Sequence, residues 1–402
     1  MQGDKLKKGL FISFDGIGSS IFDSQVLTHV KSMNSHGIDF DILAFEPFKK
    51  AWLNSSENLN RIKMNDPELN IFLKKAVNVY FPLSNIINAL ILLFNILRLD
   101  RLGNYDFIHA RSDYCAYICI LMKVFHKKKV VWDCRGHSID ELEDALERNK
   151  NVLLYVYGKY LRACCLQMVS YLRRHAEFGV FVSEALFTSH RLCRQSILYE
   201  IIPCSVNENL FYFDSELRAK VRCNLGYVES DNVFLYSGSM ISYQNISSQV
   251  GIYKAILEND ASAKILVLTT DLAVAKNLLS DIDGPRVNII SSSFNEMNLY
   301  YNASDFAFLL RENKVLNYVA SPTKFGEYCL CGLPVIMNDT VEQAMTISKI
   351  INNHVNVENI VNEKFAVSKR SEIAKQAVPY FGRKEVNLKY IGLYNSINKV
   401  EL

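Results

Sequence analysis

The ten cysteines of this 402-residue chain form no C-x-x-C pair, and no histidine stands beside them at zinc-ligand spacing. A metal site is therefore not expected. Several of the thiols fall inside apolar runs, where cysteine serves as a small core residue. Charge of one sign is also lacking. With 45 Lys and Arg against 42 Asp and Glu, the net charge is +3, far from that of a dedicated nucleic-acid binder. The basic runs are short: Lys7-Lys8, Lys49-Lys50, Lys127-Lys128-Lys129 and Arg173-Arg174. They read as solvated ends of elements or as weak attraction toward an anionic membrane. No stretch offers the roughly 20 apolar residues that cross a bilayer. The most apolar segment, FPLSNIINALILLFNILRL at 81–99, is interrupted by Pro82, Ser84 and three Asn, and its unbroken core is only Ala89–Phe94. It is expected to be a buried or half-buried helix, with an interfacial helix touching lipid as the alternative. No low-complexity tract and no repeat of 20–50 residues occurs. Met1–Lys8 is polar, so no secretion signal is expected, and free thiols then fit a reducing cytoplasm.

What the chain does contain is a repeated alternation of short apolar runs and helical patterns. Hydrophobic residues make up 49% and charged residues 22%, enough apolar material for two cores. In the first half, strands are expected at Gly9–Phe14, Phe40–Phe45, Phe107–Ala110, Lys129–Trp132, Gly179–Ser183 and Leu198–Pro203, with helices at Asp23–Ser35 and Tyr114–Phe125. In the second, Asn232–Tyr236, Lys264–Thr269, Val287–Ile290, Phe306–Leu310 and Pro334–Ile336 repeat the grammar, with a helix near Ile246–Leu257. Short buried-type strands alternating with helices imply parallel sheets covered on both faces. The expected class is α/β, with two Rossmann-like doubly wound domains at 1–203 and 204–379 and a binding cleft between them. The helix expected at 380–402 packs back on the first. Doubly wound sheets bind ligands beyond the carboxyl ends of their strands, so the segments of interest are 15–20, 133–141, 237–245, 291–297 and 311–327.

The most informative of these is ASPTKFGEYCLCGLPVI, Ala320–Ile336. Pro322 and Thr323 suit the first turn of a helix, and the amides near Lys324 and Phe325 would form an anion site. Glu327 falls one turn inside, and Gly332-Leu333-Pro334 ends the helix and feeds a strand. A carboxylate beside phosphate-binding amides can accept both hydroxyls of a ribose. It can equally do no more than favour the helix dipole.

This run, preceded by Asn302-Ala303-Ser304-Asp305 and the strand at 306–310, resembles the donor-site signature of glycosyltransferase family 4. Supporting likenesses are Asp133-Cys134-Arg135-Gly136 with Asp140-Glu141, Val182-Ser183-Glu184-Ala185-Leu186 with Ile202-Pro203 and Val206-Asn207 to Phe211, and Tyr236-Ser237-Gly238-Ser239. Together they span roughly residues 105 to 340. The resemblance implies the GT-B fold and retaining transfer of a sugar from a nucleotide donor, with the nucleotide-sugar as a substrate and no further cofactor. It also implies that Glu327 holds the donor ribose, as the second glutamate of an E-x7-E element. The first glutamate is replaced by Val319, and the charged residues usual in the opening loop are replaced by Ser239 and Gln244. A departing diphosphate needs positive charge nearby, so Arg311, Lys314 and Lys324 are the candidates to supply it.

The donor-binding set is thus Gly18, Ser19, Gly238, Ser239, Arg311, Thr323, Lys324, Phe325 and Glu327. Gly18 and Ser19 enter because, with Gly16, they form the turn after the first strand, where backbone approaches phosphate or sugar closely. Ser291-Ser292-Ser293 is a further candidate for touching the nucleobase. Asp133, at a strand end facing the cleft, and Arg135 join Arg311 as catalytic candidates, with a structural Asp–Arg turn pair as the alternative for the first two. His109, inside an apolar strand, reads as a satisfied core residue, and His137 stands near the same strand ends. No D-x-D stands at a strand end, so a metal-dependent single-domain transferase is not expected. The expected acceptor is a glycan or lipid-linked saccharide of a bacterial cell-surface polysaccharide, handled in the cytoplasm or at the inner membrane surface, with no nucleic-acid partner. A non-catalytic GT-B subunit that binds nucleotide-sugar or glycan is the competing reading, motivated by the residues at 239, 244 and 319.

Overall fold

The computed structural model describes residues 7–17, 22–47, 51–78, 83–147, 152–192, 197–240, 246–282, 284–360 and 366–397, the side chains of 152–156, 246–248 and 359 excepted. Gly18, Ser19 and Gln244 lie outside the described residues. The chain divides into two compact units, Met1–Ile202 together with Asn387–Leu402, and Pro203–Val386.

The first unit carries β1 (Lys7–Ser13), β2 (Ile38–Glu46), β3 (Ile71–Lys75), β4 (Phe107–Arg111), β5 (Lys129–Cys134), β6 (Phe178–Phe181) and β7 (Leu198–Ile201). They form one parallel sheet in the order β3-β2-β1-β4-β5-β6-β7. The helices are α1 (Thr28–Ser35), α2 (Trp52–Asn65), α3 (Ser84–Gly103), α4 (Asp113–Leu121), α5 (Lys123–His126), α6 (Ser138–Glu147), α7 (Val152–His175) and α8 (Glu184–Ser189). A π-helical turn, Phe22–Leu27, precedes α1. The central strands are buried along their length, β4 at all five positions, as a sheet covered on both faces requires. Strand order reverses between β1 and β4, which makes their carboxyl ends the switch point where ligands enter such sheets.

The second unit repeats the plan with β8 (Asn232–Ser237), β9 (Ala263–Leu268), β10 (Val287–Ile290), β11 (Phe306–Leu309), β12 (Val335–Met337) and β13 (His354–Asn356), parallel in the order β10-β9-β8-β11-β12-β13. Its helices are α9 (Ser215–Asn224), α10 (Ile246–Asn259), α11 (Leu272–Leu278), α12 (Met297–Ala303), α13 (Val315–Tyr318), α14 (Thr323–Leu330), α15 (Glu342–Ile350) and α16 (Arg370–Phe381). The reversal here falls between β8 and β11. Apolar clusters lie on both sides of the sheet, one around Phe325, Tyr328 and Leu333, the other around Tyr253, Ile256 and Phe308.

The last helix, α17 (Arg383–Ile397), is separated from α16 by Gly382, which pairs with Val206 as an isolated bridge. The helix expected at 380–402 is found as α17, which begins three residues later. From Asn387 onward the chain belongs to the first unit, where Tyr390, Leu393, Tyr394 and Ile397 are buried.

Candidate functional site

In the second unit the site builds up from the end of α12. Three buried arginines cap that helix, whose last carbonyls have no partner within it. Arg218 and Arg222 both reach Asp305, at 2.6 and 3.0 Å, and donate to the carbonyls of Asn302, Ala303 and Ser304. Arg370 spans the carbonyls of Tyr301, Asn302, Ser304 and Cys331. Each charge is buried, yet each is met by a carboxylate or by several carbonyl oxygens, the condition under which burial is tolerable. The scaffold fixes Tyr301, whose ring is fully buried.

Against Tyr301 stands α14. Pro322 takes the N-cap position with extended φ and ψ, and Thr323 and Lys324 open the helix, where the first amides find no intrahelical acceptor. The Phe325 amide does not join them. It closes a turn onto the Pro322 carbonyl at 3.0 Å, and its side chain is buried in the core against Phe381. Phe325 thus packs beneath the helix start, with its ring in the core of this unit. At the other end Gly332 adopts φ +67°, where a Cβ would strike the Arg370 backbone. The helix closes there through Gly332 N–H to Cys329 O and Leu333 N–H to Tyr328 O.

One turn in, Glu327 is 2% exposed. Its Oε2 accepts from the Tyr301 hydroxyl at 2.8 Å and from Lys324 Nζ at 2.9 Å; Oε1 takes neither bond. Lys324, about a quarter exposed, also reaches the Tyr301 hydroxyl at 3.0 Å and Met297 Sδ at 3.1 Å. The Tyr301 hydroxyl further meets Ser237 Oγ, at the carboxyl end of β8, at 3.0 Å. Burial, then the Glu327 charge, push the Tyr301 phenol well above its ordinary pKa. Tyr301 therefore stays a hydrogen-bond donor at any physiological pH.

The remaining donor candidates lie on loops at the same switch point. Gly238 continues β8 by donating to Leu268 O, and the Ser239 carbonyl accepts from Tyr236 Oη at 2.7 Å. Arg311 follows β11, its backbone clamped by Asn338 through both N–H and C=O and touched by Thr340. Its guanidinium contacts the Leu310 carbonyl, and its charge offsets part of the rise that burial and Glu327 impose on the Tyr328 phenol. Lys314 pairs at 3.6 Å with Glu312. Ser293 forms a capping box with Glu296, and Ser292 also bonds locally.

The first unit answers differently. Asp133, expected to face a cleft, is fully buried at the end of β5. Its Oδ1 pairs with Arg135 Nε at 2.7 Å, and its Oδ2 lies 3.2 Å from His109 Nε2 and 3.7 Å from Arg111. Burial alone would raise the carboxyl's pKa, but Arg135, His109 and Arg111 outweigh it and hold Asp133 ionised, well below the usual carboxylate range. Arg135 is turned into this network and onto Tyr390 of α17 at 2.5 Å. His109 is the core histidine that its apolar strand implied. Its Nδ1 meets Tyr394 Oη at 2.9 Å, which in turn meets His29 at 2.9 Å.

Other polar groups gather at this sheet's switch point, most of them within the segments 15–20 and 133–141 marked from the sequence. A cavity of about 570 Å³ is lined by Asp15, Ser112, Ser138 and Glu141 on one side and by Leu83, Ile86, Leu161 and Met168 on the other. Next to Asp15, Gly16 adopts φ +72° and leaves no room for a Cβ beside the Glu46 carboxylate. The signal for Asp15, Ser112, Ser138 and Glu141 was position, after a strand or in the first turn of the next helix, and for Glu141 also the likeness at Asp140-Glu141.

The chain is similar in structure to sucrose-phosphate synthase from Thermosynechococcus elongatus, at TM-score 0.69 and 13% identity over 98% of this chain and 100% of that one. It is also similar to HepE of Anabaena solved with UDP-glucose, at TM-score 0.65 and 14% identity over 98% and 100%. The fold is GT-B. WaaG, a glycosyltransferase involved in lipopolysaccharide biosynthesis, matches as well, at TM-score 0.61 and 10% identity over 96% of this chain and 98% of that one. No protein-family model matches the chain, and no curated protein is similar to it in sequence.

Proposed function

We propose that the chain is a retaining glycosyltransferase of the family 4 type, moving a sugar from a nucleotide-sugar to a glycan or lipid-linked acceptor in bacterial cell-surface polysaccharide synthesis. The observation that carries this reading is the buried Glu327, bracketed by Lys324 and Tyr301 at the switch point of the second sheet, with Arg311 after the neighbouring strand. Glu327 accepts the ribose hydroxyls. The Thr323 and Lys324 amides, the Lys324 ammonium and the Arg311 guanidinium meet the diphosphate, so charge on the leaving group is stabilised by fixed donors and needs no metal in this unit. The bond from the anomeric carbon to the phosphate oxygen breaks as the acceptor oxygen attaches, and the departing phosphate takes the acceptor proton. Because HepE, a similar structure, was solved with UDP-glucose, UDP-sugars are the first donors to test.

The acceptor side rests on the first unit. The polar wall of its cavity suits a saccharide, and its apolar wall continues from Leu83 onto an exposed stripe of α3: Ile86, Leu90, Phe94 and Leu97. Val124 and Phe125 of α5 are exposed as well. With the exposed Arg98, Arg101 and Lys127, this surface fits peripheral contact with an anionic bilayer from the cytoplasmic side. No helix among the described residues is long and apolar enough to cross a membrane.

A thermal-shift panel of sugar nucleotides and bare nucleotides tests the proposal. Stabilisation by one base with its sugar diphosphate, followed by sugar transfer in a coupled assay, is the expected result. Stabilisation without turnover over any acceptor would replace it with the binding-subunit reading, which the uncharged Ser239 and Val319 favour.

A further inference from the structure

At the end of β5, residues from three distant parts of the sequence converge. Asp113 opens α4, Cys134 ends β5 and His190 follows α8; all three are buried and their ligating atoms lie within 4.8 Å of one another. Cys134 Sγ is 3.2 Å from Asp113 Oδ1 and 3.8 Å from His190 Nε2, and His190 Nε2 is 3.9 Å from Asp113 Oδ2. We propose that Asp113, Cys134 and His190 form a binding site for a zinc-class divalent cation in the first unit, a site separate from the donor residues of the second.

Three observations carry the assignment. First, a tetrahedral ion with bonds of about 2.0–2.3 Å sets its ligands roughly 3.3–3.6 Å apart, and one ligand atom from each residue already lies within 4.8 Å of the others, so no edge of the triangle has to contract by more than about 1.5 Å. Second, the histidine is in the right tautomer. His190 Nδ1 lies 3.0 Å from the Leu186 carbonyl, which requires the proton on Nδ1 and leaves the Nε2 lone pair aimed at the cluster.

Third, the carboxylate is already oriented. Trp132 Nε1 donates to Asp113 Oδ1 at 2.9 Å and Ser138 Oγ to Oδ2 at 2.5 Å, the outer hydrogen bonds that hold metal ligands in place. One thiolate and one carboxylate would neutralise a divalent ion, with the Cys134 proton released to solvent. Sulfur, imidazole and carboxylate together select zinc over magnesium or calcium. Ser138, which bonds Asp113, also lines the 570 Å³ cavity.

The full chain, stripped with chelator, is titrated with Co(II) as the spectroscopic probe. The expected result is one equivalent bound with thiolate-to-cobalt charge-transfer absorption, displaced by Zn(II). Cys134→Ser removes that absorption, and His190→Gln weakens Co(II) binding by more than about tenfold. Cys223→Ser, at an exposed thiol of the second unit, leaves both unchanged. Absorption that is absent at stoichiometric Co(II), or that survives in Cys134→Ser, overturns the site. Wild-type protein provides a check independent of mutant folding: Zn(II), and not Mg(II), raises the unfolding temperature of the stripped chain, and no difference between them overturns the proposal.

Discussion

Replacing Glu327 by alanine tests the donor site most directly. The carboxylate is nearly inaccessible, and both of its bonds fall on Oε2, from Tyr301 at 2.8 Å and Lys324 at 2.9 Å. A ribose held by this group gains at least one bond to a charged acceptor, worth about 1.5–3 kcal/mol. At about 1.4 kcal/mol per tenfold, its loss weakens nucleotide binding roughly 10- to 150-fold. The fold should survive the change, because Tyr301 keeps its contact with Ser237 at 3.0 Å and Lys324, about a quarter exposed, turns to water. Calorimetry with the best-binding nucleoside diphosphate and its 2′,3′-dideoxy counterpart separates the ribose role from general damage. Wild type should prefer the ribose form, and Glu327→Ala should bind the two alike. If the variant is folded and still discriminates as wild type does, Glu327 does not hold the ribose.

Three further outcomes are expected. Arg311→Ala lowers turnover more than donor affinity, read as a fall in kcat at nearly constant KM, because its guanidinium meets charge that develops as the phosphate departs; equal turnover would assign that task to Lys324. Acid destabilises the first unit. His29 and His109 are buried and their pKa values are lowered, by burial foremost, so both are neutral when folded. Their contribution to stability is complete above about pH 6.5 and is lost as pH falls, with Asp133 following below about pH 4. The urea midpoint should drop between pH 7.5 and 5, and a flat profile would contradict this assignment of charge. On the surface, Leu90→Glu with Phe94→Glu should abolish flotation with anionic liposomes while leaving nucleotide binding intact; equal flotation would remove α3 from the membrane contact.

The sheet strands were largely legible because each is a short apolar run between polar turns. Val287–Ile290 is found as expected, while Phe306–Leu309 and Leu198–Ile201 stop one and two residues early. β3 and α2 went unread. Ile71–Lys75 is half polar at the sheet edge, and Trp52–Asn65 buries only Ser55 and Ile62, so neither shows a strong period. The turn at 320–334 was readable from Pro322, Gly332 and Pro334, whose backbone limits are local. What fixes Glu327 was not. Tyr301 looks like any core aromatic, and Arg218, Arg222 and Arg370 converge on the end of its helix from distant parts of the sequence. The burial of Asp133 was hidden for the same reason, since it depends on Arg111 and on α17. Local spacing was likewise blind to Asp113, Cys134 and His190, which only the fold assembles.

The return of residues 387–397 to the first unit has a consequence for biosynthesis. Tyr390, Leu393, Tyr394 and Ile397 complete a core begun by β1, yet a ribosome delivers them only after the whole second unit. Until then His109, Phe107 and Phe40 lack their cover of Tyr394, and the earlier-made lobe must wait, open and apolar, for its final piece. Maturation of the first lobe is thereby coupled to translation through the second, so a nascent chain stalled at residue 380 presents a sticky, protease-sensitive surface rather than a finished lobe.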